Sequence, residues 1–285
     1  MTEIQKEKKQ ENIDRELSKS DTSDNDSAKS HGEILKEQLC QGQEIYKRSD
    51  SSIFLSSVTA GLEIGFSFLL ICSVYGFFEG KLAEETIFKL TSFVYPLGFI
   101  MVILGQSILF TEQTSLLTLP VLNKKRSAAS LLRLWGIVIA GNLAGGFLMA
   151  LVVKWIGINL GLFDVTAVQR IGLHVTDHDS IVILVSAILA GWLMALLSWL
   201  VSSSKETISR LVVIFLITAV IGFTGLHHSI VGNIEAFAGM LVTPEIGFWE
   251  YFKFQGCALV GNAMGGVIFV AVLKYRAFVY NVDAY

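Results

Sequence analysis

The sequence contains few charged residues, few prolines and few cysteines for a chain of 285 residues. Charged residues make up 16% of it, whereas soluble domains carry about a quarter, so the composition argues against an ordinary water-soluble enzyme. The 3 cysteines lie far apart and form no CxxC pair or metal-ligand spacing. The net charge of −3 provides no basic surface for nucleic acid. We therefore expect no bound metal, no cofactor and no nucleic-acid partner.

Apolar residues are abundant and unevenly distributed along the chain. Residues 1–50 hold 21 of the 47 charged residues and only 11 hydrophobic ones, although the whole chain is 52% hydrophobic. The 25 glycines fall largely inside the apolar runs, where helices of soluble proteins rarely tolerate them. This division predicts an all-α polytopic membrane protein with a soluble N-terminal tail.

The charged N-terminal region divides into two parts. Residues 1–32 are rich in Glu, Lys, Ser and Asp and cannot bury a core, which predicts a disordered cytoplasmic tail. In residues 33–50, an apolar stripe that includes Ile34 and Leu35 predicts an amphipathic helix at the membrane interface, with a solvated coil as the alternative. Residues 51–285 form the predicted six-span transmembrane channel domain.

Six apolar segments are each long enough to cross the hydrocarbon core of a lipid bilayer. They cover approximately residues 53–78, 91–121, 128–157, 179–203, 208–242 and 248–276. Polar residues interrupt the second segment at 111–114 and the fifth at 225–229. Because freed backbone groups inside a membrane must be satisfied by protein or water, these interruptions predict that spans two and five are broken and line a cavity.

The basic residues between the spans indicate the orientation of the chain. Lysines and arginines occupy the tail, the 2–3 loop, the 4–5 loop and the C-terminus, whereas the alternate loops are mainly acidic. By the positive-inside rule, both termini are predicted to lie in the cytoplasm.

An internal repeat relates the two halves of the apolar region. Residues 136–155 (GIVIAGNLAGGFLMALVVKW) match residues 256–275 (GCALVGNAMGGVIFVAVLKY) at an offset of 120. Three spans in each half predict two inverted repeats, with a solute site between them. Aligning the two breaks at an offset of 117 places Thr111 opposite His228, which predicts a hydroxyl and an imidazole facing each other in a constriction.

These motifs resemble those of the formate/nitrite transporter family. The features are Ala60-Gly61 in span one, the stretch 96–111 ending in LFT, Gly141-Asn142, His228-Ser229 and Gly261-Asn262. The resemblance implies an aquaporin-like six-helix protomer in a bacterial cytoplasmic (inner) membrane, usually a homo-pentamer with one pore per protomer. It also implies conduction of monovalent anions such as formate or nitrite. Small residues on spans three and six add support for close contacts in an oligomer.

The resemblance also implies roles for individual residues. By that similarity, His228 is the central pore histidine, Thr111 is its partner across the channel, Leu109 and Phe110 form the constriction, and Asn262 is the polar residue at the wall of span six. We add His227 as an alternative pore histidine, and two carboxylates that an anion would meet. The predicted solute-contacting residues are therefore His228, Thr111, Leu109, Phe110, Asn262, His227, Glu63 and Glu112.

Several alternatives remain open from the sequence. Because they are repeated by symmetry, Asn142 and Asn262 suit a scaffolding role, which ties the broken spans to spans three and six, better than contact with solute. At the level of function, the alternatives are a membrane sensor or adaptor with a vestigial pore, and a channel for a neutral or cationic solute. A membrane enzyme built on His227, His228 and Glu235 is disfavoured, since no HExxH or GxSxG pattern accompanies them.

Overall fold

The computed structural model describes residues 3–19 and 29–283, and the regular structure of these residues is entirely helical. The helices are α1 (Glu3–Lys19), α2 (His31–Lys47), α3 (Asp50–Phe78), α4 (Glu84–Thr91), α5 (Pro96–Gly105), α6 (Phe110–Leu122), α7 (Ala128–Asn159), α8 (Val165–Thr176), α9 (Ser180–Ser203), α10 (Thr207–Thr224), α11 (Ser229–Met240), α12 (Phe248–Gly266) and α13 (Leu273–Asp283). A π-helical segment, Val267–Val272, joins α12 to α13.

Six helical runs in the described part of the chain are long and apolar enough to cross a membrane. These runs are Asp50–Phe78, Glu84–Leu122, Ala128–Asn159, Ser180–Ser203, Thr207–Thr224 and Phe248–Val282. Their number and order agree with the six spans predicted from hydropathy.

The N-terminal tail differs from the disorder predicted for residues 1–32. Residues 3–19 form α1, and Ile13 and Leu17, spaced four apart on one face, are buried against the protein. The Asp14 carboxylate pairs with Lys125 at 2.6 Å. Residues 1, 2 and 20–28 lie outside the described part, so the predicted domain boundaries stay a prediction.

Helix α2 covers the region predicted to be amphipathic. Ser30 caps its start, and the Glu33 side chain accepts a hydrogen bond from the Ser30 backbone N–H, which completes a capping box. The apolar stripe, with Leu35 and Leu39, is buried, and the helix packs on α6 and α9. The charged residues of α2 lie on the opposite face of the helix, as the sequence pattern indicates.

Glycines allow two pairs of spans, α3 with α7 and α9 with α12, to pack closely. A side chain added at Gly145 would overlap the Val58 carbonyl oxygen, and one added at Gly265 would overlap the Ile188 carbonyl oxygen. These small residues of spans three and six therefore face partners within the same chain. The close helix contacts predicted from them are intramolecular, and they do not support an interface between protomers.

Two spans are interrupted by partly buried loops. Helix α5 ends at Gly105, and α6 begins at Phe110 after four intervening residues, with Leu109 as its N-cap. Helix α10 ends at Thr224, and α11 begins after His228, which is its N-cap. The residues that follow α5 and α10, Gln106 and Gly225, both adopt left-handed conformations, with φ of 60° and 66°.

The two N-caps correct the register of the repeat. Leu109 and His228 occupy equivalent places, and they lie 119 positions apart rather than the 117 used to align the breaks. By this register the partner of Thr111 in the second half is Ile230, not His228. The alignment is therefore wrong by two residues, although it brought together two residues that are in contact.

Helices α4 and α8 are not predicted by the hydropathy pattern. Helix α8 lies between spans three and four and buries Ala167, Val168 and Ile171. It packs mainly on α11, where Gly172 approaches Gly239 closely enough that a Cβ at Gly172 would lie 2.7 Å from the Gly239 Cα. This helix covers the side of the molecule onto which the second break opens.

Candidate functional site

The two interrupted spans meet at one polar contact. The Thr111 Oγ1 lies 2.8 Å from the His228 Nε2, and both side chains are buried, with exposed fractions of 0% and 2%. Thr111 belongs to the first turn of α6, and His228 is the N-cap of α11. The contact therefore joins the starts of the two helices that follow the breaks.

The cap geometry determines which nitrogen of His228 carries the proton. Its Nδ1 accepts hydrogen bonds from the backbone N–H groups of Ile230 and Val231, each at 3.3 Å. An accepting nitrogen carries no hydrogen, so the neutral ring is protonated at Nε2 and donates to Thr111. Protonation of Nδ1 would add a charge and remove both cap contacts.

Aromatic and aliphatic side chains surround this contact. Leu109 and Phe110 are 0% and 1% exposed, and the Phe110 ring meets Trp135 edge-on, with ring centroids 5.7 Å apart. The Phe99 ring stands at 83° to the His228 ring, with centroids 5.0 Å apart. Phe99 was missed from the sequence because it is one apolar residue within an apolar span.

Two asparagines hold the breaks in place through equivalent sets of hydrogen bonds. The Asn142 Oδ1 accepts from the Phe110 N–H at 2.8 Å, and its Nδ2 donates to the carbonyls of Ser57 and Ile108. In the other half, Asn262 accepts from the Ser229 N–H at 2.8 Å and donates to the carbonyls of Ala187 and His227.

The position of Asn262 bears on its predicted contact with solute. It is 0% exposed, and both polar atoms of its amide are engaged by backbone. This arrangement agrees with the scaffolding alternative. Asn262 therefore positions the second break rather than lining an open surface.

A wide cavity opens on the side of α4 and α8. This loop-side vestibule measures about 820 Å³. Its lining carries charges of both signs, from Glu84, Glu85, Asp177, Glu245 and Glu250 and from Lys89, Arg170 and Lys253. Burial, followed by the neighbouring His178, lowers the pKa of His174 on α8, so this imidazole is neutral at pH 7 and adds no positive charge.

A small chamber of about 50 Å³ lies between the vestibule and the Thr111–His228 contact. It shares Phe88 and His174 with the vestibule and reaches His228 at its other end. His227 also lines it, and its Nδ1 and its backbone N–H lie 2.8 and 3.0 Å from the Ser186 hydroxyl. The two adjacent histidines thus face different partners.

A second vestibule opens on the side of the N-terminal tail. This tail-side vestibule, of about 300 Å³, is lined by α2, by the first break and by the start of α10. Ile108 and Glu112 line it, whereas Leu109, Phe110 and Thr111 between them are buried and line neither cavity. These three residues and His228 form a closed layer between the chamber and the tail-side vestibule.

The acidic residues singled out in the sequence occupy three different places. Glu112 lines the tail-side vestibule together with Arg48 and Arg210. Glu63 lines neither the chamber nor this vestibule, and a Cβ built at Gly105 would lie 3.5 Å from its carboxylate. Glu235 lines the chamber. Of the two carboxylates predicted to contact solute, Glu112 therefore lines a cavity, whereas Glu63 lines neither the chamber nor the tail-side vestibule.

Among the residues that the structure describes, no group of three or more His, Cys, Asp or Glu side chains is arranged to hold a metal ion. Six spans, two partly buried helix breaks and a closed polar contact between opposite vestibules define a class, the membrane channels and transporters.

The chain belongs to the formate/nitrite transporter family, whose pattern matches residues 32–276. It is 30% identical over 272 residues to the inner membrane protein YfdC of Escherichia coli, covering 93% of this chain and 84% of that protein. It is also 30% identical over 189 residues to the nitrite transporter NirC of Salmonella typhimurium, covering 65% of this chain and 66% of NirC.

Two solved structures share the fold. An FNT family ion channel matches with a TM-score of 0.77 at 22% identity, covering 86% of this chain and 98% of that one. A pentameric formate channel with formate bound matches with a TM-score of 0.67 at 20% identity, covering 80% and 97%. The predicted all-helical, six-span membrane fold and the family resemblance are confirmed.

Proposed function

We propose that this protein conducts a small monovalent anion, such as formate or nitrite, or the corresponding weak acid, across the membrane. The observation that supports the proposal is the 2.8 Å contact between the Thr111 hydroxyl and the His228 imidazole. This contact closes the path between two vestibules on opposite sides of the protein. The solutes named for the relatives, nitrite for NirC and formate for the pentameric channel, agree with this class.

In this proposal the solute replaces the contact between the two side chains. An anion that enters the dry layer loses hydration, and it gains hydrogen bonds from the His228 Nε2–H and the Thr111 hydroxyl. Leu109, Phe110 and Phe99 exclude water around it and limit the size of what passes. His228 is thus proposed as the central gating residue, with His227 at the chamber wall.

The test is solute flux through proteoliposomes that contain the full chain. Formate, nitrite, hydrosulfide, ammonium and water are compared at two pH values, with protein-free liposomes as the control. We expect flux of formate or nitrite and none of ammonium. Thr111→Val keeps the shape of the side chain and removes its hydroxyl, so it should reduce anion flux about tenfold, the effect of one hydrogen bond to a charged solute. Ammonium flux, or no flux of any solute, would refute the proposal.

The surroundings of the protein are proposed on the same basis. We place the chain in a bacterial cytoplasmic membrane as a homo-pentamer, with both termini in the cytoplasm. A relative is an inner membrane protein, and a structure with the same fold is pentameric. In this orientation the tail-side vestibule faces the cytoplasm.

A further inference from the structure

One carboxyl group in the permeation path has no counter-charge. Glu235, on α11, is 7% exposed and lines the chamber that ends at His228. Its carboxyl forms no hydrogen bond or ion pair with any residue of the described chain. An ionised carboxylate at such a position pays the cost of desolvation without compensation.

The groups that face Glu235 do not supply a positive charge. No lysine or arginine of the described chain lines the chamber. The ionisable neighbours are Cys72 from α3, Tyr95 before α5, His174 from α8, and His227 and His228 from the second break. The hydroxyl of Tyr251 on α12 donates its hydrogen bond to Asn233.

The carboxylate on the other side of the closed layer has different surroundings. Glu112 lines the tail-side vestibule together with two arginines, Arg48 and Arg210, and two further glutamates, Glu37 and Glu44. An anion therefore meets cationic side chains in that vestibule, whereas the chamber offers it the carboxyl group of Glu235 and, among the described residues, no lysine or arginine. The chamber is the place where the charge of the solute decides its passage.

We propose that Glu235 is a specificity-determining residue, which donates a proton to a weak-acid anion in the chamber so that the solute crosses the closed layer as a neutral acid. This inference rests on the proposed function. The carboxyl O–H bond of Glu235 breaks, and an O–H bond forms on the anion. The neutral acid passes Thr111 and His228 and releases its proton to water in the tail-side vestibule. Glu235 regains a proton from water in the loop-side vestibule.

This step separates anions by the strength of their acids. Formate and nitrite are bases of weak acids and accept a proton from a carboxyl group, whereas nitrate is the base of a strong acid and does not. An anion that stays charged meets either an ionised Glu235 or a desolvated chamber without a cation. The expected solutes are therefore small anions of weak acids, and nitrate is excluded.

The experiment compares formate and nitrate flux in proteoliposomes of the full chain, with Glu235→Gln as the test variant. The amide has the shape of the carboxyl but neither its charge nor its exchangeable acid proton. We expect the ratio of formate to nitrate flux to fall about tenfold, because nitrate no longer meets a like charge and formate loses its proton donor. Glu235→Asp, which keeps the carboxyl, should retain most of the wild-type ratio.

Asp179→Asn is the matched control, because Asp179 is an exposed acid at the start of α9 that lines none of the three cavities. A wild-type ratio in Glu235→Gln, with formate flux intact, would overturn the role of Glu235 and leave the proposed function standing. Absence of formate and nitrite flux in the wild-type protein would refute both.

An infrared measurement covers the case in which Glu235→Gln does not assemble. The wild-type protein should show the C=O absorption of a protonated carboxyl group, and formate should shift it. Glu235→Asp should move that band, which assigns it to this position. A formate-sensitive band that is absent, or is unchanged in Glu235→Asp, would overturn the inference.

Discussion

At the scale of single residues, the helix start at α11 distinguishes two adjacent histidines. His228 caps the helix with Nδ1 and directs Nε2 to Thr111, whereas His227 turns to Ser186 at the chamber wall. Consecutive residues at a helix start point in different directions, so only one of the two histidines lies in contact with Thr111. The sequence alone leaves both histidines as candidates.

The first prediction concerns His228→Asn. Asparagine is a favoured N-cap residue, so its side-chain oxygen replaces Nδ1 and the change in the free energy of unfolding should stay within about 1 kcal/mol. The shorter amide does not reach the position of the imidazole Nε2–H beside Thr111, so anion flux should fall about tenfold, the effect of one hydrogen bond to a charged solute. Flux in proteoliposomes and thermal unfolding in detergent measure the two effects.

His227→Asn is the comparison for this prediction. It changes the neighbouring residue, which lies outside the closed layer, and it should keep most of the wild-type flux. The opposite result, with flux lost in His227→Asn and kept in His228→Asn, would identify His227 as the pore histidine.

At the scale of elements, the repeated glycines have repeated environments. Gly136 and Gly256, at equivalent places in α7 and α12, have no atom within 4 Å of an added Cβ, whereas Gly145 and Gly265 lie against the backbone of α3 and α9. A glycine that lies against a neighbouring helix permits the two helices to approach closely. A glycine with no neighbour lowers helix stability through its backbone entropy and gains no packing contact in return.

The second prediction uses one glycine of each kind in the same helix. Gly265→Ala should lower the free energy of unfolding by about 1–3 kcal/mol, because the new methyl group forces α12 away from α9. Gly256→Ala should be neutral or stabilising by up to about 1 kcal/mol, because alanine favours helix and nothing opposes it. Thermal unfolding in one detergent compares them, and equal effects would contradict the packing argument.

At the scale of the whole molecule, the two faces of the helical bundle differ in charge and in covering. Helices α1 and α2 and the basic loops lie at one face. Helices α4 and α8 lie at the other face, together with the acidic residues that line the loop-side vestibule. The break in span two opens to the first face, and the break in span five opens to the second. The third prediction tests which of the two faces lies in the cytoplasm.

The third prediction places the acidic face outside the cell. A cysteine introduced as Asp177→Cys should react with a membrane-impermeant thiol reagent in intact cells. The native Cys40, exposed on α2, provides the internal control, since it should react only after lysis. Replacing Cys257 by serine removes the half-buried thiol from the comparison. Labelling of Cys40 in intact cells would reverse the orientation.

The fourth prediction concerns assembly. Large apolar side chains remain exposed along the spans, among them Leu55, Leu132 and Trp155, and they require lipid or neighbouring protomers as partners. Because a pentameric channel shares the fold, native mass spectrometry in detergent should give five times the 31.3 kDa mass of the chain. A stable monomer would refute the assembly, with the flux of the monomer in liposomes as a separate measurement.

The class of protein, the six spans and the family could all be predicted from the amino-acid sequence. Each apolar segment inserts into the membrane because of its own hydropathy, and each helix satisfies its own backbone hydrogen bonds. These features therefore depend on residues that are close together in the sequence. The motifs at Thr111, His228 and the two asparagines also stand out locally, because polar residues are costly inside a membrane.

The contacts that those residues make depend on the tertiary structure. In the folded chain the two breaks are equivalent at an offset of 119 residues. The side-chain amides of Asn142 and Asn262 are both hydrogen-bonded to backbone groups. The glycines of spans three and six pack against helices of the same chain. The tertiary structure also separates Glu112, which shares its vestibule with two arginines, from Glu235, which faces none in the chamber. The energy of a buried polar group depends on partners distant in sequence, and the fold alone brings those partners together.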